Sequence, residues 1–130
     1  MGFKGHALFF GALGALFGVS ELLAPAQVLG LFSVEADAGA VLMARVGAGP
    51  LNLGFGLSAF LAASTRDVGA QRAVLSGGLA YAVAASAASV FTGLPDLASP
   101  LMWSMLAIAV PLGVNAARLL LTSRRSGSAV

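Results

Sequence analysis

The chain has no cysteine, a single histidine, one tryptophan and one tyrosine, and only 9% of its 130 residues are charged. Without cysteine there is no disulfide scaffold and no thiolate nucleophile, and His6 alone cannot build a His/Cys metal cluster or a complete triad. A soluble domain is about 25% charged, so this chain lacks the polar atoms to cover a surface facing water. Seven basic and five acidic residues give a net charge of +2, too little for a surface that tracks phosphates, which sets nucleic acid aside. What the chain has instead is apolar length. It is 58% hydrophobic, with a mean hydropathy of +0.94. These values describe an integral membrane protein.

Charge-free runs show the organisation. There are 20 uncharged residues between Arg45 and Arg66, 23 between Arg72 and Asp96, and 21 between Asp96 and Arg118. Each matches the ~20 residues that a helix needs to cross ~30 Å of hydrocarbon. A fourth run, Gly5 to Ser20, extends through Glu21 to Pro25. We expect an all-α, single-domain bundle over 1–130 with four transmembrane helices near 3–24, 40–64, 70–93 and 99–121. Barrel strands would alternate, and these segments do not. Lys4, the apolar run and Ala24-Pro25-Ala26 together mimic a cleaved signal peptide, but the glycine pattern of the run suits packing, so a retained helix is expected.

Charge also sets orientation. With the N-terminus, the 65–72 link and the C-terminus on one side, that side holds Lys4, Arg66, Arg72, Arg118, Arg124 and Arg125 against Asp67. The other side holds Arg45 against Glu21, Glu35, Asp37 and Asp96. The positive-inside rule makes the first side cytoplasmic, or the matrix or stromal equivalent. The membrane is then a bacterial inner membrane or an organellar one. Trp103 is placed as an interfacial anchor, and Ser99 with Pro100 reads as the start of span four. The apolar 25–39 link should lie along the interface, with Val28, Leu29, Leu31 and Phe32 dipping into lipid.

Two small-residue stripes stand out. Ala7, Gly11, Gly14, Gly18 and Glu21 share one face of span one; Arg45, Gly49, Asn52, Gly56, Ala59 and Ala63 share one face of span two. Small residues let helix backbones approach closely in lipid. Leu53, Leu57 and Phe60 are expected on the face opposite the second stripe. With the two spans antiparallel, Glu21 comes level with Arg45, and an interhelical ion pair is expected to close the seam. A charge within a span defaults to a functional reading, but both residues lie near the interface, so a structural clasp is the simpler one. Asn52 and Asn115 are intramembrane amides that need hydrogen-bond partners. Pro50 and Pro111 should kink their helices, and a kink beside Asn52 could open a small cavity. Span three, with Ser76-Gly-Gly, Ala80, Ala82 and Ala84-Ala-Ser-Ala-Ala-Ser89, offers a thin face suited to a partner chain.

Chemistry is sparse. His6 sits near the expected cytoplasmic boundary, where solvent or headgroups would surround it; an axial ligand to haem or chlorophyll is the competing reading. Gly54-Phe-Gly56-Leu-Ser-Ala59 imitates a dinucleotide fingerprint but lies within a span and follows no strand. Glu35 and Asp37 read as a solvated turn. No catalytic, cofactor-binding or metal set converges.

The motifs Leu22-Leu-Ala-Pro25, Leu29-Gly-Leu-Phe32, Ala44-Arg-Val-Gly-Ala48 and Leu53-Gly-Phe-Gly-Leu57, in this order, resemble the small four-helix membrane proteins of the DoxX-like type. The resemblance covers spans one to three and implies an integral four-helix bundle, with no catalytic residue to carry over. The expected function is non-enzymatic: a structural or accessory subunit of a larger membrane complex, respiratory or photosynthetic, packed against other subunits or itself. The alternatives are a small proton-coupled exporter and a binder of lipid, quinone or pigment.

Overall fold

The computed structural model describes residues 1–32, 34–93 and 100–126, and all of their side chains except those at 89, 91–93, 100–102, 105 and 124–126. Its elements are α1 (Phe3–Leu23), α2 (Pro25–Leu31), α3 (Ala38–Met43), a π-helical turn (Ala44–Ala48), α4 (Gly49–Ala62), α5 (Val68–Gly93) and α6 (Pro100–Ser126). α3, the π turn and α4 run on as one rod of 25 residues, Ala38–Ala62. There is no strand among the described residues.

Local chemistry explains the starts. Asp37 caps α3 by accepting the Ala40 N–H at 2.7 Å, and Asp67 caps α5 through the Ala70 N–H, satisfying donors that a helix start leaves orphaned. Proline at the first position of α2 removes an N–H that has no intrahelical partner. α6 opens at Pro100 as expected, whereas Ser99 and the Leu94-Pro95-Asp96 turn lie outside the described residues. The 25–31 stretch forms a short helix, and its expected immersion in lipid is corrected at one position: Val28 is buried within the protein. Leu31 does face outward, and Phe32 packs on Phe17 with ring centroids 6.4 Å apart.

Among the described residues three helices are long and apolar enough to cross a membrane: Phe3–Leu23, Ala38–Ala62 and Leu106–Ser123. α5, at 26 residues, also has the length to cross. Leu16, Leu23, Met43, Leu61 and Val114 are all at least 64% exposed. That much outward-facing apolar surface suits lipid rather than water.

Packing is uneven. α1 lies chiefly along α4, and α5 along α6, while contact between the two pairs is thin. The α1–α4 pair is close because glycine faces glycine. A Cβ on Gly14 would stand 2.9 Å from the Asn52 carbonyl oxygen, and one on Gly56 would stand 2.5 Å from the Ala15 nitrogen. A Cβ on Gly18 would collide with the Leu53 backbone. At one end of the bundle Phe3, Ala7, Ala63, Leu75, Ala116 and Leu119 form a continuous core. There Arg118 donates to the Met1 carbonyl at 2.8 Å. Arg72 donates through Nη2 to the Ser123 carbonyl at 2.9 Å. The first residues, the 65–72 link and the end of α6 therefore gather together.

Candidate functional site

The small-residue stripes place the site. Gly11, Gly14 and Gly18 on α1 meet Gly56, Asn52 and Leu53 on α4, and Gly49 meets Leu22. Leu53 and Phe60 are thus not opposite the second stripe but flank the seam: a Cβ on Gly11 would come within 3.1 Å of the Phe60 ring. Close approach carries Asn52, 7% exposed, up to Glu21, and the amide Nδ2 donates to Glu21 Oε2 at 2.8 Å. Asn52 and Tyr81, from α4 and α5, line one space.

The expected ion pair between Glu21 and Arg45 is not formed; among the described residues nothing basic pairs with Glu21, and Arg45 is exposed. The cause is the π turn, in which the Gly49 N–H bonds the Ala44 carbonyl five residues back. One extra residue in the turn rotates everything before it by about 100° relative to α4. Arg45 therefore swings off the face that Asn52 keeps. Pro50 follows directly, and its missing N–H frees the Val46 carbonyl from an ordinary helical bond.

Below the Glu21–Asn52 pair, where the two helix pairs fail to close, lies a cavity of about 50 Å³. Phe10, Leu13, Phe17, Asn52, Phe55, Tyr81, Ile108 and Leu112 line it. Phe10 meets Tyr81 edge-on at 5.7 Å, and Phe55 meets Tyr81 at 6.4 Å. A groove of about 410 Å³ beside it, between α4 and α5, is lined by Pro50, Leu51, Gly54, Ser58 and Val74 and shares Phe10 and Phe55 with the cavity. The groove opens toward the surface where lipid would lie.

No family model, curated protein or solved structure matches the chain. The site must therefore be read from its own geometry.

A second polar group sits nearer the end where the first residues gather. His6 is 1% exposed, which corrects the solvated histidine expected at that position. Arg118 donates to Asn115 Oδ1 at 3.2 Å, which turns the Asn115 amide so that its nitrogen meets His6 Nδ1 at 3.2 Å. Nδ1 accepts, so this network assigns the ring proton to Nε2. Nε2 is buried with no hydrogen-bond partner, and a Cβ on Gly78 would lie 3.6 Å from it. Phe10 stacks on the imidazole at 6.2 Å and 7°, coupling this network to the cavity wall.

No group of three or more His, Asp or Glu that could hold a metal is found among the described residues. Glu35 and Asp37 are exposed, and Asp37 is a helix cap. The stripe spacing points to Asn52; nothing in the sequence signals that Tyr81 would join it, because the space they line lies between helix pairs.

Proposed function

We propose that the chain is a four-span integral membrane protein, termini on the cytoplasmic or equivalent side, that works as a small packing subunit in a larger membrane assembly. The observation that carries this is the face of α5 turned away from the bundle. Ser76, Ala80, Ala84 and Ala87 recur at helical spacing along it, all exposed, with Val83 and Val90 beside them. Lipid is no poorer a solvent for leucine than a protein interior is, so association in a bilayer draws on close van der Waals contact, and small residues permit it. A face of alanine and serine with no side chain larger than valine suits a partner helix better than it suits lipid tails. The DoxX-like resemblance supports the four-span bundle, and the basic residues at one end support the sidedness.

Native-gel mass after gentle extraction from the native membrane tests the proposal. Wild type should co-migrate with partner chains or a second copy, and the double variant Ala80→Leu/Ala84→Leu should run as the free chain. Wild type running as a lone monomer removes the proposal.

The cavity supports a second reading, a binder of a small lipophilic molecule, because it combines an aromatic wall with one buried amide. At about 50 Å³ it has no room for a pigment macrocycle. The exporter reading gains no such support, since Glu21 stands two residues before the end of α1 rather than at mid-span.

A further inference from the structure

We propose that the central cavity binds a small alkylammonium ion, with its ammonium group between Glu21, Asn52 and Tyr81 and its hydrocarbon against the aromatic wall. The inference rests on the cavity reading above and is independent of how α5 packs.

Charge is the first ground. Glu21 is a half-buried acid bonded to Asn52 of the cavity wall, and no basic side chain among the described residues compensates it. A half-buried carboxylate beside an apolar cavity is stabilised by a cation, because burial weakens its hydration. The nearest basic candidate by sequence, Arg45, is rotated away by the π turn. A positive charge is what this acid lacks.

Hydrogen-bonding capacity is the second. Asn52 directs its NH2 group at Glu21, which leaves Oδ1 as the amide atom that accepts. The second carboxylate oxygen and the tyrosine oxygen also accept. A ligand rich in N–H donors matches this set, whereas a carboxylate or phosphate would meet acceptors and a like charge.

The wall is the third. Phe10, Phe17, Phe55 and Tyr81 surround the space, and aromatic faces attract a cation while also packing against its alkyl part. The volume of about 50 Å³ is several times the ~10–15 Å³ that a single water needs, which fits an ammonium head and a short chain. Access is lateral. Phe55 stands between the cavity and the groove beside α4, and its ring rests on α5 where Gly77 leaves room: a Cβ there would lie 3.2 Å from the ring.

Tyr81 is the only tyrosine, so ¹³C-tyrosine labelling of the full chain in lipid nanodiscs gives one ring signature from the cavity wall. The probes are n-butylammonium, n-butanol and butyrate, equal in chain length and different in charge. We expect a saturable shift with n-butylammonium, weaker by about tenfold or more in Glu21→Gln, and little response to the other two. The wild-type ligand series decides the matter even if the variant folds poorly. Equal saturation by n-butanol overturns the charge assignment and leaves the cavity reading intact. An unchanged affinity in a folded Glu21→Gln protein overturns the role of Glu21. Absence of a saturable response to all three overturns both the inference and the cavity reading.

Discussion

Two glycines on α4 differ by two positions and should differ sharply in what they tolerate. A methyl group on Gly56 would lie 2.5 Å from the Ala15 nitrogen, 2.8 Å from the Gly11 carbonyl oxygen and 2.9 Å from the Gly14 carbonyl carbon. All three are backbone atoms, which cannot rotate aside. Restoring ordinary contact requires α1 and α4 to part by about 1 Å, and a gap of that size forfeits a quarter to a half of the dispersion energy at each contact along the seam. Separation also pulls Asn52 from Glu21, removing a bond worth roughly 0.6–2 kcal/mol in a membrane. Together with the ~1–3 kcal/mol typical of overpacking, Gly56→Ala should cost about 2–4 kcal/mol. A methyl group on Gly54 meets nothing within 4 Å, so Gly54→Ala should be neutral, or stabilise by up to about 1 kcal/mol through helix propensity. Unfolding of the detergent-solubilised chain by rising SDS mole fraction, followed by circular dichroism, gives both values on one scale. Equal stabilities for the two variants would refute the glycine-seam reasoning.

Other substitutions address the polar groups. Asn52→Leu and Glu21→Ala each remove the bond between the two side chains; a double-mutant cycle on SDS unfolding should return a coupling of about 0.6–1.7 kcal/mol. Gly78→Ser places a hydroxyl within hydrogen-bond range of the orphan His6 Nε2. It should therefore exceed Gly78→Ala in stability by about 0.5–1.5 kcal/mol, although alanine is the better helix former; the reverse order contradicts the unpartnered state of Nε2. Arg72→Ala removes the bonds from Arg72 to Ser123 that tie α5 to the end of α6, and hydrogen exchange should speed up at 119–126 while amides of α1 and α4 keep their protection.

Much of this architecture was legible because lipid imposes few rules. A helix crossing hydrocarbon must be about 20 residues long and nearly free of charge, so the runs bounded by Arg45, Arg66 and Arg72 mark their helices to within a few residues. Glycine spacing on the first two spans indicated a shared seam, since period alone assigns a face. The partner of Glu21 was missed for a single reason. Arg45 and Asn52 are seven residues apart and would share a face in a regular α-helix, but a five-residue π turn intervenes, and no residue between 44 and 48 announces it. His6 was misplaced because its burial depends on Asn115 and Arg118, more than a hundred residues away. The cavity was anticipated beside Pro50 and Asn52, yet its wall is supplied by Phe10, Phe17, Tyr81 and Ile108 from other helices, a convergence that no single segment encodes.

The central claim is that the exposed small-residue face of α5 meets another helix in the membrane. The chain has no cysteine, so one introduced thiol carries a benzophenone crosslinker without background. Placed by Ala84→Cys and irradiated in native membranes, it should yield a discrete protein adduct of higher mass, while the same probe at the lipid-facing Leu16→Cys should yield none. An Ala84→Cys chain that stays at its own mass, or one that crosslinks no more than Leu16→Cys, contradicts the account.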